Sequence, residues 1–277
     1  MRKFFILLMV LVLPVLFMGC GEQPAEQPAE QPAAEQQTAP ETQEQAATSS
    51  EEPVIVFASD CTWPPMEMVN EQKECVGFGP DLVKAMGEAA GFEAEIQNTA
   101  WDGIFAGLAS GKYDAISSSV SITEERKQAM DFSDPYFEVK QGVVVQEDSD
   151  ITSKEDLKDK TVGAQIGTTG YFAAQNIEGA TAKSYDEVGL AVEDLMNGRI
   201  DAVICDDSVA ADYALQNPNY SEKLGMGFLI EPDEPEYLGF AVQKGDTETL
   251  ELINEGLKKV KESSKYEEIY NTWFATN

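Results

Sequence analysis

The chain has 277 residues, with 19 Lys and Arg against 50 Asp and Glu and a formal net charge of −31. Such a balance excludes nucleic acid as a partner, because too few cations are present to neutralise a phosphate backbone. It contains no histidine, which removes the commonest general base and the commonest metal ligand, so neither a metal nor a cofactor is expected.

At the N-terminus, Arg2 and Lys3 precede an apolar run from Phe4 to Met18. The run is shorter than a comfortable membrane span and is laid out like a secretory signal. It ends LFMGC. A Gly-Cys pair there resembles a lipobox, in which Cys20 becomes the lipidated first residue of the mature chain; the alternative is an ordinary signal with a chance cysteine. The stretch GEQPAEQPAEQPAAEQQTAPETQEQAATSSEE follows, acidic and free of large apolar side chains. It has too little to bury and reads as a disordered tether reaching ~30 Å or more. A signal over 1–19, a lipidated linker over 20–52 and a folded remainder are therefore expected.

In the folded part, PVIVFAS reads as a buried strand and PMEMVNEQKECVGF as a hairpin turning between Asn70 and Lys73. PDLVKAMGEAAG reads as a helix, EAEIQN as a strand, WDGIFAGLASG as a helix and YDAISSSV as a strand. The second half has the same style. KTVGAQI is a strand, TTGYFAAQNI and DEVGLAVEDLMNG are helices, RIDAVIC is a strand and DDSVAADYAL is a helix. Alternation of this kind predicts open α/β sheets. Cys61, Cys75 and Cys205 lack zinc-site spacing. Cys61 and Cys75 are candidates for a disulfide, yet a hairpin turning at NEQK sets Cys75 opposite Met68, so the pairing is left open.

LASGKYDAISSS (108–119) echoes LMNGRIDAVICD (195–206). Each has a leucine, a helix-ending glycine, a basic residue and then Asp-Ala opening a strand. A good helix-to-strand connector explains the glycine, which suits a left-handed C′ position. It does not explain Asp206, eight residues past Gly198, or its counterpart Ser119, eight past Gly111. Both fall beyond the carboxyl end of a strand, where open α/β sheets bind ligands. Two similar lobes facing across a cleft are predicted.

Four places converge on that cleft. The first is SITEERKQAMDFSDPYF, where Arg126 follows Ser119 and Ser121. Thr123 can cap a short helix there, and the guanidinium offers a planar fork for a carboxylate. The second is QIGTTGYFAA, whose Thr168 and Thr169 open a helix with free backbone N–H groups, or simply cap it. The third is Asp206, an acceptor for an ammonium, with Asp207 read as a helix cap. The fourth is SDCTWPP with NTAWDG, which sets Asp60, Trp63 and Trp101 at strand exits.

The stretch SSSVSITEERKQAMDFSDPYF, with WPPMEM and GFGPDL before it and GAQIGTTGYF, GRIDAVICD, YLGFAVQKG and EIYNTWF after it, resembles the polar amino acid binding proteins of ABC importers. The resemblance covers nearly all of 53–277 in order. It implies a two-lobe periplasmic binding fold of type II, in which two crossing strands join α/β lobes that close over one amino acid. It implies a carboxylate-binding role for Arg126 and Ser121, an ammonium-binding role for Asp206, second-lobe contacts from Thr168 and Thr169, and side-chain contacts from Asp60, Trp63 and Trp101. GFGPDL departs from the family, which usually has an acidic residue after Gly-Phe.

The expected lobes are 53–138 with 237–277, and 139–236, crossing near Tyr136 to Gln141 and returning near Glu234 to Gly239. The expected function is a monomeric, lipid-anchored, extracytoplasmic receptor that hands an amino acid to a membrane permease and is not an enzyme. Two tryptophans flanking Asp60 suit a long cationic side chain, so arginine or lysine is expected, then glutamine or histidine. A dehydratase-like enzyme and a sensory protein on the same scaffold are the competing readings.

Overall fold

The computed structural model describes residues 52–275. The expected signal, Cys20 lipidation site and all of the linker but its last residue lie outside the described residues. Among the described residues, no helix is long and apolar enough to cross a membrane.

The chain opens with β1 (Val54–Ser59), then a small antiparallel sheet of β2 (Thr62–Trp63), β3 (Glu67–Val69) and β4 (Cys75–Val76). Helix α1 (Phe78–Ala90), β5 (Glu93–Asn98), α2 (Ile104–Ala109), β6 (Ala115–Ile116), α3 (Glu124–Ala129) and β7 (Met130–Phe132) follow. Strand β8 (Phe137–Val139) leads out to β9 (Gln141–Gln146), β10 (Thr161–Gln165), α4 (Thr169–Gln175), β11 (Thr181–Tyr185), α5 (Val188–Met196), β12 (Ala202–Asp206), α6 (Asp207–Ala211) and β13 (Leu224–Ile230). Strand β14 (Glu236–Leu238) returns to β15 (Ala241–Gln243), α7 (Thr247–Glu262) and α8 (Lys265–Phe274).

These elements build two five-stranded sheets, β5-β1-β6-β15-β7 and β11-β10-β12-β9-β13. In each, the first three strands are parallel and the last two add antiparallel. The fold is thus mixed α/β in two lobes. Strands β8 and β14 pair antiparallel between the lobes, Val139 against Glu236 and Phe137 against Leu238. The echo seen in the sequence is structural: β6 and β12 hold the same third position. Each follows a glycine in the left-handed region, Gly111 at φ 69° and Gly198 at φ 65°, which a Cβ would disfavour.

The first lobe buries Phe57, Phe78, Leu82, Met86 and Phe240 completely, each worth about 1.5–3 kcal/mol of transfer free energy. Phe57 meets Phe240 edge-on at 6.2 Å. The C-terminal helices close over α1: Trp273 Nε1 donates to Asp81 Oδ2 at 2.8 Å, and α8 sets Phe274 5.3 Å from the hinge residue Phe137. The second lobe buries Val188, Leu195, Val203 and Ile204.

Three expectations need correction. YDAISSSV is strand only at Ala115–Ile116, because Ser119 adopts φ 46° and turns the chain away. Asp207 is the first residue of α6, not its cap, and its Oδ1 accepts from the next N–H, that of Ser208, at 3.0 Å. Cys75 lies opposite Val69, not Met68, and Cys61 and Cys75 are disulfide-bonded with Cα atoms 5.8 Å apart. The missing factor was the third strand: β2 pairs with the far edge of β3 and brings the preceding Cys61 within reach. Cys205 is free and buried.

Candidate functional site

Strand exits of both sheets converge on one cavity. Its lining includes all nine residues singled out in the sequence: Asp60, Trp63, Trp101, Ser119, Ser121, Arg126, Thr168, Thr169 and Asp206. Ser118 and Gln165 complete it.

Arg126 sits in the first turn of α3, and that turn is fixed by its cap. Thr123 Oγ1 accepts from the Arg126 N–H at 3.2 Å. The guanidinium carbon lies 5.6 Å from the Trp101 ring centre and 5.2 Å from that of Phe105, in cation–π range. Its two terminal nitrogens donate to Ser121 O at 2.9 Å and to Gly167 O, across the lobe boundary, at 3.1 Å. Burial pulls its pKa down, while the charges of Glu236 and Asp206 oppose that.

Asp60 follows β1 and is buried. Its N–H donates to Ser118 Oγ at 2.9 Å, Oδ1 accepts from Thr62 Oγ1 at 2.9 Å, and Oδ2 accepts from Gln165 Nε2 of the other lobe at 2.8 Å. Desolvation raises its pKa and these hydrogen bonds partly offset the rise. Asp206, 4 % exposed, accepts from Trp63 Nε1 at 3.2 Å across the boundary and from Gln141 Nε2 at 2.9 Å. Burial first, and the Glu236 charge second, push its carboxyl up to about 7.

Thr168 caps α4: its Oγ1 accepts from the Tyr171 N–H at 3.1 Å and donates to Gln165 O at 2.8 Å. Thr169 meets Ser121 Oγ at 3.3 Å, a further contact between lobes, and donates to Glu236 Oε1 at 2.6 Å. The tryptophans are not free platforms on either side of Asp60. Trp63 is tied to Asp206, and Trp101 packs against Arg126 and meets the Phe105 ring at 4.9 Å.

Sequence reasoning missed five contributors. Gln165 ends β10 and was reachable by the strand-exit rule that found Asp206. Ser118 lies in SSSVS, beside Ser119. Gln141 and Glu236 sit on and beside the hinge strands, where no motif marks them. Glu67, paired with Trp63 between β2 and β3, is wholly buried, and neither carboxylate oxygen has a partner among the described residues. Burial, with the charges of Asp60 and Asp206, holds its pKa well above the usual carboxylate range. Chemically, the cavity offers one guanidinium, two carboxyl groups and several hydroxyls, a set with partners for both charges of a dipolar small molecule.

Residues 55–276 match the family model for bacterial extracellular solute-binding proteins, family 3. Among curated relatives, a probable histidine-binding protein of Neisseria gonorrhoeae is 38% identical over 237 residues, covering 83% of this chain and 87% of that protein. Among solved structures, the arginine-, lysine-, histidine-binding protein ArtJ of Geobacillus stearothermophilus matches with TM-score 0.74 and 39% identity over 80% of this chain and 96% of its own. An ancestral arginine-binding protein bound to arginine matches with TM-score 0.75 and 38% identity, over 81% of this chain and all (100%) of its own.

Proposed function

The chain belongs to family 3 of the bacterial extracellular solute-binding proteins, and from that premise we propose that it is the amino acid receptor of an ABC importer, preferring arginine or lysine. The observation that carries this is charge: Arg126 stands with Asp60 and Asp206 in one small cavity, with Glu236 close behind. A ligand carboxylate pairs with Arg126 and the N–H groups near Ser121 and Thr169. Its ammonium pairs with Asp206. A second cation on the side chain meets Asp60. The acidic excess over Arg126 leaves room for a ligand carrying net positive charge.

The raised pKa of Asp60 favours a second reading, in which a neutral carboxyl hydrogen-bonds an uncharged glutamine or histidine side chain. Binding without turnover is inferred, because intact partners for the carboxylate and the ammonium favour holding the ligand over transforming it. Delivery to a membrane permease, anchoring through Cys20, an extracytoplasmic location and action as a monomer complete the proposal. Calorimetric titration with each of the twenty amino acids tests it, with mass analysis of the recovered ligand. Tightest binding of arginine or lysine, recovered unchanged, is expected. Binding of none sinks the receptor reading, and a chemically altered ligand sinks the non-enzymatic one.

A further inference from the structure

Glu236 belongs to neither set of residues singled out from the two lobes. It lies on β14, the returning hinge strand, half-buried. Its Oε1 accepts the Thr169 hydroxyl at 2.6 Å and its Oε2 accepts Gln141 Nε2 at 3.2 Å. The same amide nitrogen reaches Asp206 Oδ1 at 2.9 Å and Thr169 Oγ1 at 3.2 Å. Two amide hydrogens thus serve three acceptors. The shared nitrogen bounds the separation of the Asp206 and Glu236 oxygens at about 6 Å. Among the described residues, neither carboxylate takes part in an ion pair. Two like charges this close, one of them buried, repel unless a cation or a proton joins them.

We propose that Glu236 is a specificity-determining residue of the ammonium site: with Asp206 it forms a carboxylate pair at the hinge that lets the cleft close only over a positively charged group. This rests on the amino acid reading for the identity of that group, but not for the repulsion itself. With the lobes in contact, Trp63 of the first lobe donates to Asp206 and that carboxylate is out of water, so the unpaired charges cost most when the cleft is closed.

A proton can replace the cation, which gives the device a pH signature. Burial and the Glu236 charge raise Asp206 from its ordinary 3.8 to about 7. With an open state near the ordinary value, closing without ligand carries no penalty below about pH 4. The penalty grows between about 4 and 7 as the open form ionises and the closed form does not, and it is constant above. The other groups facing the pair set the same sign or oppose it. Asp207 beside Asp206 adds negative charge, while Glu67 from β3, whose pKa burial holds well above the usual range, stays neutral. Arg126 from α3 attracts both carboxylates. Tyr136, before β8, and Cys205 are buried with raised pKa values and stay neutral. Lys140, whose carbonyl accepts the Asp207 N–H, is occupied by Glu231 at 2.7 Å.

Small-angle scattering of the protein without ligand, from pH 8 to pH 5, tests the pair. Wild type is expected to grow more compact as pH falls. Glu236→Gln should already be more compact at pH 8 and should show a smaller pH response, keeping the larger part that burial alone supplies. Glu236→Asp, which keeps the charge, should retain the wild-type response. A wild type insensitive to pH, or a Glu236→Gln profile that superimposes on it, overturns the proposal. Adding 1 mM arginine at pH 8 should compact both proteins. Failure of that arm with every amino acid sinks the amino acid reading, while the pH profiles still decide the role of Glu236.

Discussion

In the first lobe the third parallel strand, β6, stops after Ile116, and the chain leaves it through Ser117, Ser118 and Ser119 towards the helix that carries Arg126. In the second lobe the equivalent strand, β12, runs on to Asp206 and enters α6 directly. The strand order, the preceding helix and the left-handed glycine are common to both. Core packing fixes those shared parts. Side chains at the exits are free of that duty, so one scaffold used twice presents a cation with hydroxyls on one side and a carboxylate on the other. A cleft built that way suits a molecule whose two ends carry opposite charge. Because such a ligand touches both lobes, it binds the closed state better and shifts the population towards it.

Breaking the first-lobe exit should have the largest effect. Arg126→Ala leaves the ligand carboxylate desolvated and unpaired, at a cost of roughly 3–5 kcal/mol, so calorimetry should detect no binding at ordinary concentrations. Arg126 is only half-buried, and the melting temperature without ligand should barely move. A variant that binds within a few-fold of wild type would refute the carboxylate role.

Asp206→Asn tests the second-lobe exit more gently. The amide keeps the shape, but Trp63 and Gln141 meet different carboxylate oxygens and its single oxygen can accept from only one of them, so the charge and one hydrogen bond are lost. A loss of about 2–3 kcal/mol in binding is expected, with scattering showing an open population at arginine levels that close the wild type. Full closure of the variant at those levels would show that the charge is dispensable.

The lobes also differ in covalent bracing: the first carries the Cys61–Cys75 bond and the second only the free Cys205. Replacing both bonded cysteines by serine removes a link of sequence separation 14 and should lower stability to urea by about 3 kcal/mol. Affinity should fall only a few-fold, through Asp60 and Trp63 nearby. Cys20→Ser should do least to the cleft, releasing the protein from the membrane fraction with affinity unchanged. Wild type found fully soluble would remove the anchor from the account.

The alternation of elements and the echo between 108–119 and 195–206 made the repeated scaffold legible, because glycine at a helix end and Asp-Ala at a strand start are local signals. The cavity residues at strand exits were legible for the same reason. What stayed hidden depends on partners distant in sequence. The pairing of β2 with β3, which decides the disulfide, needed a register that no hairpin rule supplies. Trp101 was read as a platform for a ligand cation, but Arg126, 25 positions further on in the sequence, takes its face. Glu236 lies in an acidic stretch, EPDEPEYLG, where nothing local distinguishes it from its neighbours.

The dipolar clamp is tested most directly by cutting the ligand instead of the protein. Calorimetry would compare arginine with agmatine, which lacks the carboxylate, and with the analogue lacking only the α-amino group. Opposite charges gripped at both exits predict that each deletion weakens binding to the wild type by at least ~30-fold. Either analogue binding within a few-fold of arginine would contradict the clamp.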